Sequence, residues 1–181
     1  MADNLENLKF PIGAFKAQNS YSLTEISSYI DIIANFPMRL RKEVANLTPK
    51  QLETPYRPDG WTVAQTIHHL GDSHANSFIR FKLALTEDKP TIKPYEEQLW
   101  AELADSKPEY IELSLAILDN LHKRWVLILV AMTEKEWFES GFVHPDKKRL
   151  ILLSEAAATY AWHCEHHLAH ITRLKERMQW K

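Results

Sequence analysis

The chain has 181 residues, with 22 Lys plus Arg against 24 Asp plus Glu and a formal charge of −2. That length fits one domain, and the near balance of charge argues against a nucleic-acid partner, which usually shows as a basic excess. Cys164 is the only cysteine, which excludes intrachain disulfides and a multi-cysteine zinc site, and four glycines suit a helical fold better than a turn-rich β sandwich.

The opening MADNLENLKF is acidic and polar, with no basic n-region and no apolar run, so no signal peptide is expected. No apolar stretch is long enough to span a bilayer. A cytoplasmic protein without membrane contact is the expectation. Residues 1–20 read as an irregular lead-in broken by Pro11 and Gly13. After Ser22 a helical pattern begins, with Ile26, Ile30, Ile33, Leu40 and Val44 on one stripe. Pro37 interrupts it and predicts a kink or break near Phe36–Met38. Thr48 and Pro49 start a short helix in LTPKQL. YRPDGW (Tyr56–Trp61) is turn chemistry, and Thr62 followed three residues later by Gln65 is a capping box for a helix running to about Thr86.

DKPTIKPYEEQ (Asp88–Gln98) then reads as a connection across one end of a bundle. A third long helix follows over roughly Pro108–Met132, with a short one from Thr133 to Trp137. Glu139–Leu153 reads as a loop or hairpin, and Ser154 is the expected cap of a last helix reaching about Met178. The expected fold is all-α, a four-helix bundle with crossing connections and short extra helices, in one domain over 1–181.

The last helix carries YAWHCEHHLAHI, with His163, His166, His167 and His170. Two i, i+4 pairs compete, because such a pair projects from one helix face. At about 100° per residue, Ala157, Ala161, Cys164, Leu168 and Ile171 form the apolar stripe. His163 and His167 lie nearer to it, and His166 and His170 point outward. A site needs a further ligand from another helix. On the capped helix His74 falls on the apolar stripe, while His69 opens a polar row with Ser73, Asn76 and Arg80, beside Asp72. Spacing leaves His69 and His74 level. Cys164 reads as packing, His144 as an exposed loop residue and His122 as structural or surface.

The segments YRPDGWTVAQTIHHLGDSHANSFIRFKLALTE and YAWHCEHHLAHI, with KPYEEQLW, LHKRW and FVHPD between them, resemble the YfiT branch of the DinB/YfiT superfamily over nearly the whole chain. The resemblance implies a four-helix bundle in which three histidines hold one divalent metal ion. Carried over by motif, these are His69, followed by Leu70, and His163 with His167 in HCEHH. Many relatives place Gln where this chain has His170, and no role is assigned to it.

Three neutral imidazoles leave open coordination positions, as catalytic sites do. They suit Zn²⁺ or Ni²⁺, among others. The resemblance implies a metal-dependent hydrolase acting on a small molecule, with Asp72 as the candidate base because Glu165 lies well away from the ligands on the wheel. It equally implies the alternative of a thiol S-transferase, joining a low-molecular-weight thiol such as bacillithiol to electrophiles, with Arg80 binding a carboxylate of the thiol. A non-catalytic, metal-binding stress-response bundle is the reading from outside enzymology. General frequency favours a homodimer.

Overall fold

The structure is a computed structural model that describes residues 5–180. The expected lead-in contains a one-turn helix, α1 (Leu5–Lys9), where an irregular segment was predicted. Residues 1–4 of that lead-in lie outside the described residues. Four long helices follow with short pieces between them: α2 (Leu23–Val44), α3 (Pro49–Leu52), α4 (Val63–Thr86), α5 (Glu97–Trp100), a 3₁₀ turn (Pro108–Tyr110), α6 (Ile111–Ala131), α7 (Glu134–Glu139), β1 (Gly141–His144), β2 (Arg149–Leu152) and α8 (Leu153–Arg177).

Helix starts follow the sequence signals. Ser22, Thr48, Thr62 and Thr133 each accept the N3 amide, and Glu25, Gln51, Gln65 and Glu136 reach back to the cap amide. Each such box satisfies donors that the first turn leaves orphaned, and losing one costs about 1 kcal/mol. Ser154 is not the cap expected of it. Leu152 takes that position with no side-chain hydrogen bond, because strand β2 runs straight into α8. Ser154 is instead buried inside the helix.

Helix α2 runs unbroken through Pro37, so the chain does not take the break that was one of the two expected outcomes there. An interior proline costs a helix about 3 kcal/mol or more through the lost amide and its clash with the carbonyl four residues back. That carbonyl belongs to Ile33, and a side chain from another helix takes it.

The four long helices form the bundle. α2 packs on α6 and α8, and α4 also packs on α6 and α8. Consecutive long helices α2 and α4 therefore face each other across the bundle, as do α6 and α8. The connections over 45–62 and 132–152 cross its ends, which gives the expected crossing topology, whereas the Asp88–Gln98 connection expected to cross one end joins the neighbouring helices α4 and α6. Ile33, Phe36, Leu40, Ile67, Leu70, Phe81, Leu118, Trp125, Leu129, Cys164 and Ile171 fill the middle.

The second crossing carries the hairpin. β1 pairs antiparallel with β2, Gly141 opposite Leu152. A Cβ on Gly141 would stand 2.3 Å from the Ile151 carbonyl oxygen, so the close strand approach requires glycine there. The connection after α4 joins the hairpin edge: Val143 donates to the Pro90 carbonyl at 2.9 Å and accepts from the Ile92 amide at 3.1 Å. This tie anchors the connection that leads into α5 to the hairpin.

Candidate metal centre

Three histidines from two neighbouring helices converge beneath α5. Nitrogens of His69 on α4 and of His163 and His167 on α8 all lie within 4.8 Å of one another. His69 Nε2 stands 3.3 Å from His163 Nε2. His69 and His167 are buried, and His163 keeps a partly accessible edge. Burial pulls the His69 imidazole down to about 4, with His166 adding to the effect. Burial and the neighbouring rings hold His163 and His167 well below the ordinary histidine range. All three are therefore neutral near pH 7 and keep a lone pair, as metal ligation requires.

The donor set fits a divalent ion. Two nitrogens each 2.0–2.1 Å from a tetrahedral centre stand about 3.3 Å apart, which is the separation between the His69 and His163 Nε2 atoms. Cys164 is no competitor, since burial pushes its thiol well up and leaves it a packed apolar group.

The trio looks onto two cavities. The larger, about 550 Å³, is lined by His163, Ser73, Tyr160, Arg80, Glu97 and His144, among others. The smaller, about 320 Å³, contains all three histidines together with Trp61, Glu97 and His166. Trp61 packs its ring 4.5 Å from that of His69 and donates from Nε1 to Gln98 Oε1 at 3.1 Å, holding α5 over the site. Gln65, already part of the α4 capping box, donates to the Ala101 carbonyl at 3.0 Å and to Glu102 Oε1 at 2.9 Å from the same nitrogen. The start of α4 and the cover of the site are thus one hydrogen-bonded unit.

Among the other candidate residues, Arg80 lines the larger cavity, and Asp72 lines neither. Burial, and then the nearby Asp105 charge, raise the Asp72 carboxyl to about 6. His74 stays outside the trio. It is fully buried behind His163, with Nε2 at 3.1 Å from His163 Nδ1. His144 is not the exposed loop residue expected. It lines the larger cavity, where burial and the Arg80 guanidinium lower its basicity.

The outward placement of His166 and His170 also needs correction. Both are buried, because the lead-in and the Tyr56 loop cover that face of α8. His170 Nε2 donates to the Lys9 carbonyl at 3.1 Å, and Trp162 stacks on His166 at 4.2 Å. His166, His167 and His170 form a second close trio that shares His167 with the first.

The sequence pattern missed Glu97, which among the described residues is the one carboxylate lining both cavities. Burial raises its carboxyl above the ordinary glutamate value. It lies in a proline-containing connection that no helical period marks, so its only signal was membership of KPYEEQLW.

Residues 33–171 match the DinB superfamily. Over 174 residues the chain is 48% identical to a Bacillus subtilis (strain 168) protein named "Putative metal-dependent hydrolase YfiT", covering 96% of this chain and 97% of the relative. A Bacillus anthracis protein, also named as a putative metal-dependent hydrolase, is 49% identical over 176 residues, covering 97% of this chain and 100% of its own. The solved structure of YfiT from Bacillus subtilis, described as a probable metal-dependent hydrolase with an unusual four-helix bundle topology, superposes with a TM-score of 0.93 at 47% identity, over 97% of this chain and 99% of that one. With the bundle, its diagonal connections and these matches in agreement, the chain belongs to the DinB superfamily, in its YfiT-like branch.

Proposed function

We propose that the protein is a metal-dependent hydrolase of a small molecule, with one divalent ion, Zn²⁺ or Ni²⁺, held by His69, His163 and His167. The observation that carries this reading is the convergence of three neutral imidazoles on one point with cavities open beside it. The names of the relatives point the same way. An ion there supplies Lewis-acid polarisation and brings the pKa of water toward neutrality.

The chain's own groups complete the chemistry. Glu97, rather than Asp72, is the base that takes a proton from the attacking water, since it alone among the carboxylates of the described residues borders both cavities. Arg80 takes part in no ion pair among the described residues. Its guanidinium is free to hold an anionic group of the substrate in the larger cavity. Trp61 and α5 limit water access above the trio.

The test is metal loading followed by a substrate screen. Metal-free protein takes up one Zn²⁺ or Ni²⁺ per chain, His69→Ala loses that uptake, and the loaded protein cleaves esters or amides. Metal-dependent conjugation of a thiol to an electrophile, with no hydrolysis, would replace this reading by the thiol-transfer one.

A further inference from the structure

The partner of the Ile33 carbonyl leads back to the site. In an α-helix the amide of residue 37 would donate to the carbonyl of residue 33. Pro37 has no amide to give. The carbonyl is taken instead by His122 on α6, whose Nδ1 lies 2.6 Å from it. His122 Nε2 then lies 2.7 Å from His74 Nδ1, and His74 Nε2 lies 3.1 Å from His163 Nδ1. The chain of contacts crosses the bundle from α2 through α6 and α4 to α8. His74 and His122 are at most 1% exposed, so no water competes for these atoms.

The direction of every bond follows from its end. A carbonyl oxygen only accepts, so His122 Nδ1 carries the proton. A neutral imidazole has one donor and one acceptor. His122 Nε2 therefore accepts from His74 Nδ1, and His74 Nε2 accepts from His163 Nδ1. The only lone pair left on His163 is on Nε2, the atom that faces His69 Nε2.

We propose that Pro37, His122 and His74 form a positioning relay that fixes the tautomer and ring plane of His163 so that its Nε2 lone pair is presented for the metal. Pro37 frees the carbonyl that anchors the relay, and the two buried histidines transmit that polarity over two rings. Hydrogen-bonded partners behind a metal-bound histidine fix its orientation and raise its basicity, and their loss typically weakens binding 10–100-fold. The relay rests on the proposed site at the trio, but its first test does not.

That first test is ¹⁵N NMR of histidine-labelled, metal-free protein. The expected spectrum shows His163 and His74 protonated at Nδ1 and not at Nε2. An Nε2-protonated His163 overturns the relay whether or not the protein binds metal. The second test is Zn²⁺ affinity, read by competition with a chelator. His122→Phe is expected to weaken binding about 10–100-fold. Pro37→Ala returns a helical amide to compete for the Ile33 carbonyl, so it is expected to raise thermal stability while weakening Zn²⁺ binding several-fold. A purely structural proline or histidine moves stability and affinity together. Wild-type affinity in Pro37→Ala, which has every reason to fold, overturns the relay. Failure of the wild-type protein to bind either Zn²⁺ or Ni²⁺ overturns the proposed function and leaves the NMR test to decide the relay.

Discussion

His170 stacks on Tyr56 with ring centroids 3.9 Å apart and planes 19° from parallel. From this stack its Nε2 donates to the Lys9 carbonyl at 3.1 Å, and its Nδ1 lies 3.4 Å from His167 Nδ1. The position is thus a clasp that ties the lead-in and the Tyr56 loop to the ligand helix. His170→Ala removes a buried hydrogen bond and an aromatic stack, together about 2 kcal/mol. The expected result is a midpoint lower by several degrees and faster tryptic cleavage near Lys9 and Lys16. Unchanged cleavage at both sites contradicts the clasp.

Glu97 gives a sharper prediction about chemistry. Glu97→Gln is expected to lower kcat by about 10²–10⁴-fold, the usual worth of a general base, with Zn²⁺ affinity unchanged. The sign of the pH dependence follows from burial, which raises the carboxyl. The base works when ionised, so activity rises with pH through a midpoint above the ordinary glutamate value. That acid limb should vanish in Glu97→Gln. Kinetics with any ester or amide that the loaded protein cleaves will show it.

The helices and two of the metal-ligand candidates were legible because both obey a period. Val63 to Thr86 follows from Thr62, Gln65 and the apolar repeat, and His163 with His167 followed from their angle to Cys164 and Leu168. The choice between His69 and His74 was not, since both are buried and the helical wheel measures only burial. What separates them is the atoms each meets on other helices: His74 has both ring nitrogens engaged, Nδ1 with His122 and Nε2 with His163 Nδ1, while His69 turns Nε2 toward His163 Nε2. The same limit hid the burial of His166 and His170, which depends on where the lead-in docks. Pro37 shows it most plainly. Read along the chain it is a helix breaker, and only the position of His122 on α6 shows why the helix keeps it.

Arg80 is the determinant of substrate charge if the larger cavity receives the substrate. Arg80→Ala is expected to lower kcat/KM about tenfold or more for substrates bearing a carboxylate or phosphate, as loss of a charged hydrogen bond costs about 1.5–3 kcal/mol. Neutral substrates should be unaffected. Arg80→Lys restores the charge without the bidentate fork and should recover only part of the loss. Paired kinetics on an anionic substrate and its neutral amide decide the matter, and an equal loss on both contradicts a charge contact.

Acid should unfold the metal-free protein at unusually mild pH. Burial lowers His122 to about 4, His166 to about 4 and His170 to about 3, and holds His74 well below its ordinary value. In the unfolded chain each titrates near 6.5. Above that value both states are neutral and stability is level. As pH falls below it, the unfolded chain binds protons that the folded chain refuses, so stability drops until the folded values are reached. Each histidine contributes about 1.4 kcal/mol for every pH unit inside that window. The urea midpoint should therefore be flat from pH 8 to about 7 and fall steeply between about 6.5 and 4, and His166→Gln should lessen the slope. Bound Zn²⁺ should hold the midpoint higher at neutral pH and lose its effect over the same range, because protons and metal compete for the same nitrogens. A midpoint level down to pH 4.5 contradicts the neutral, buried state of the cluster on which the whole site depends.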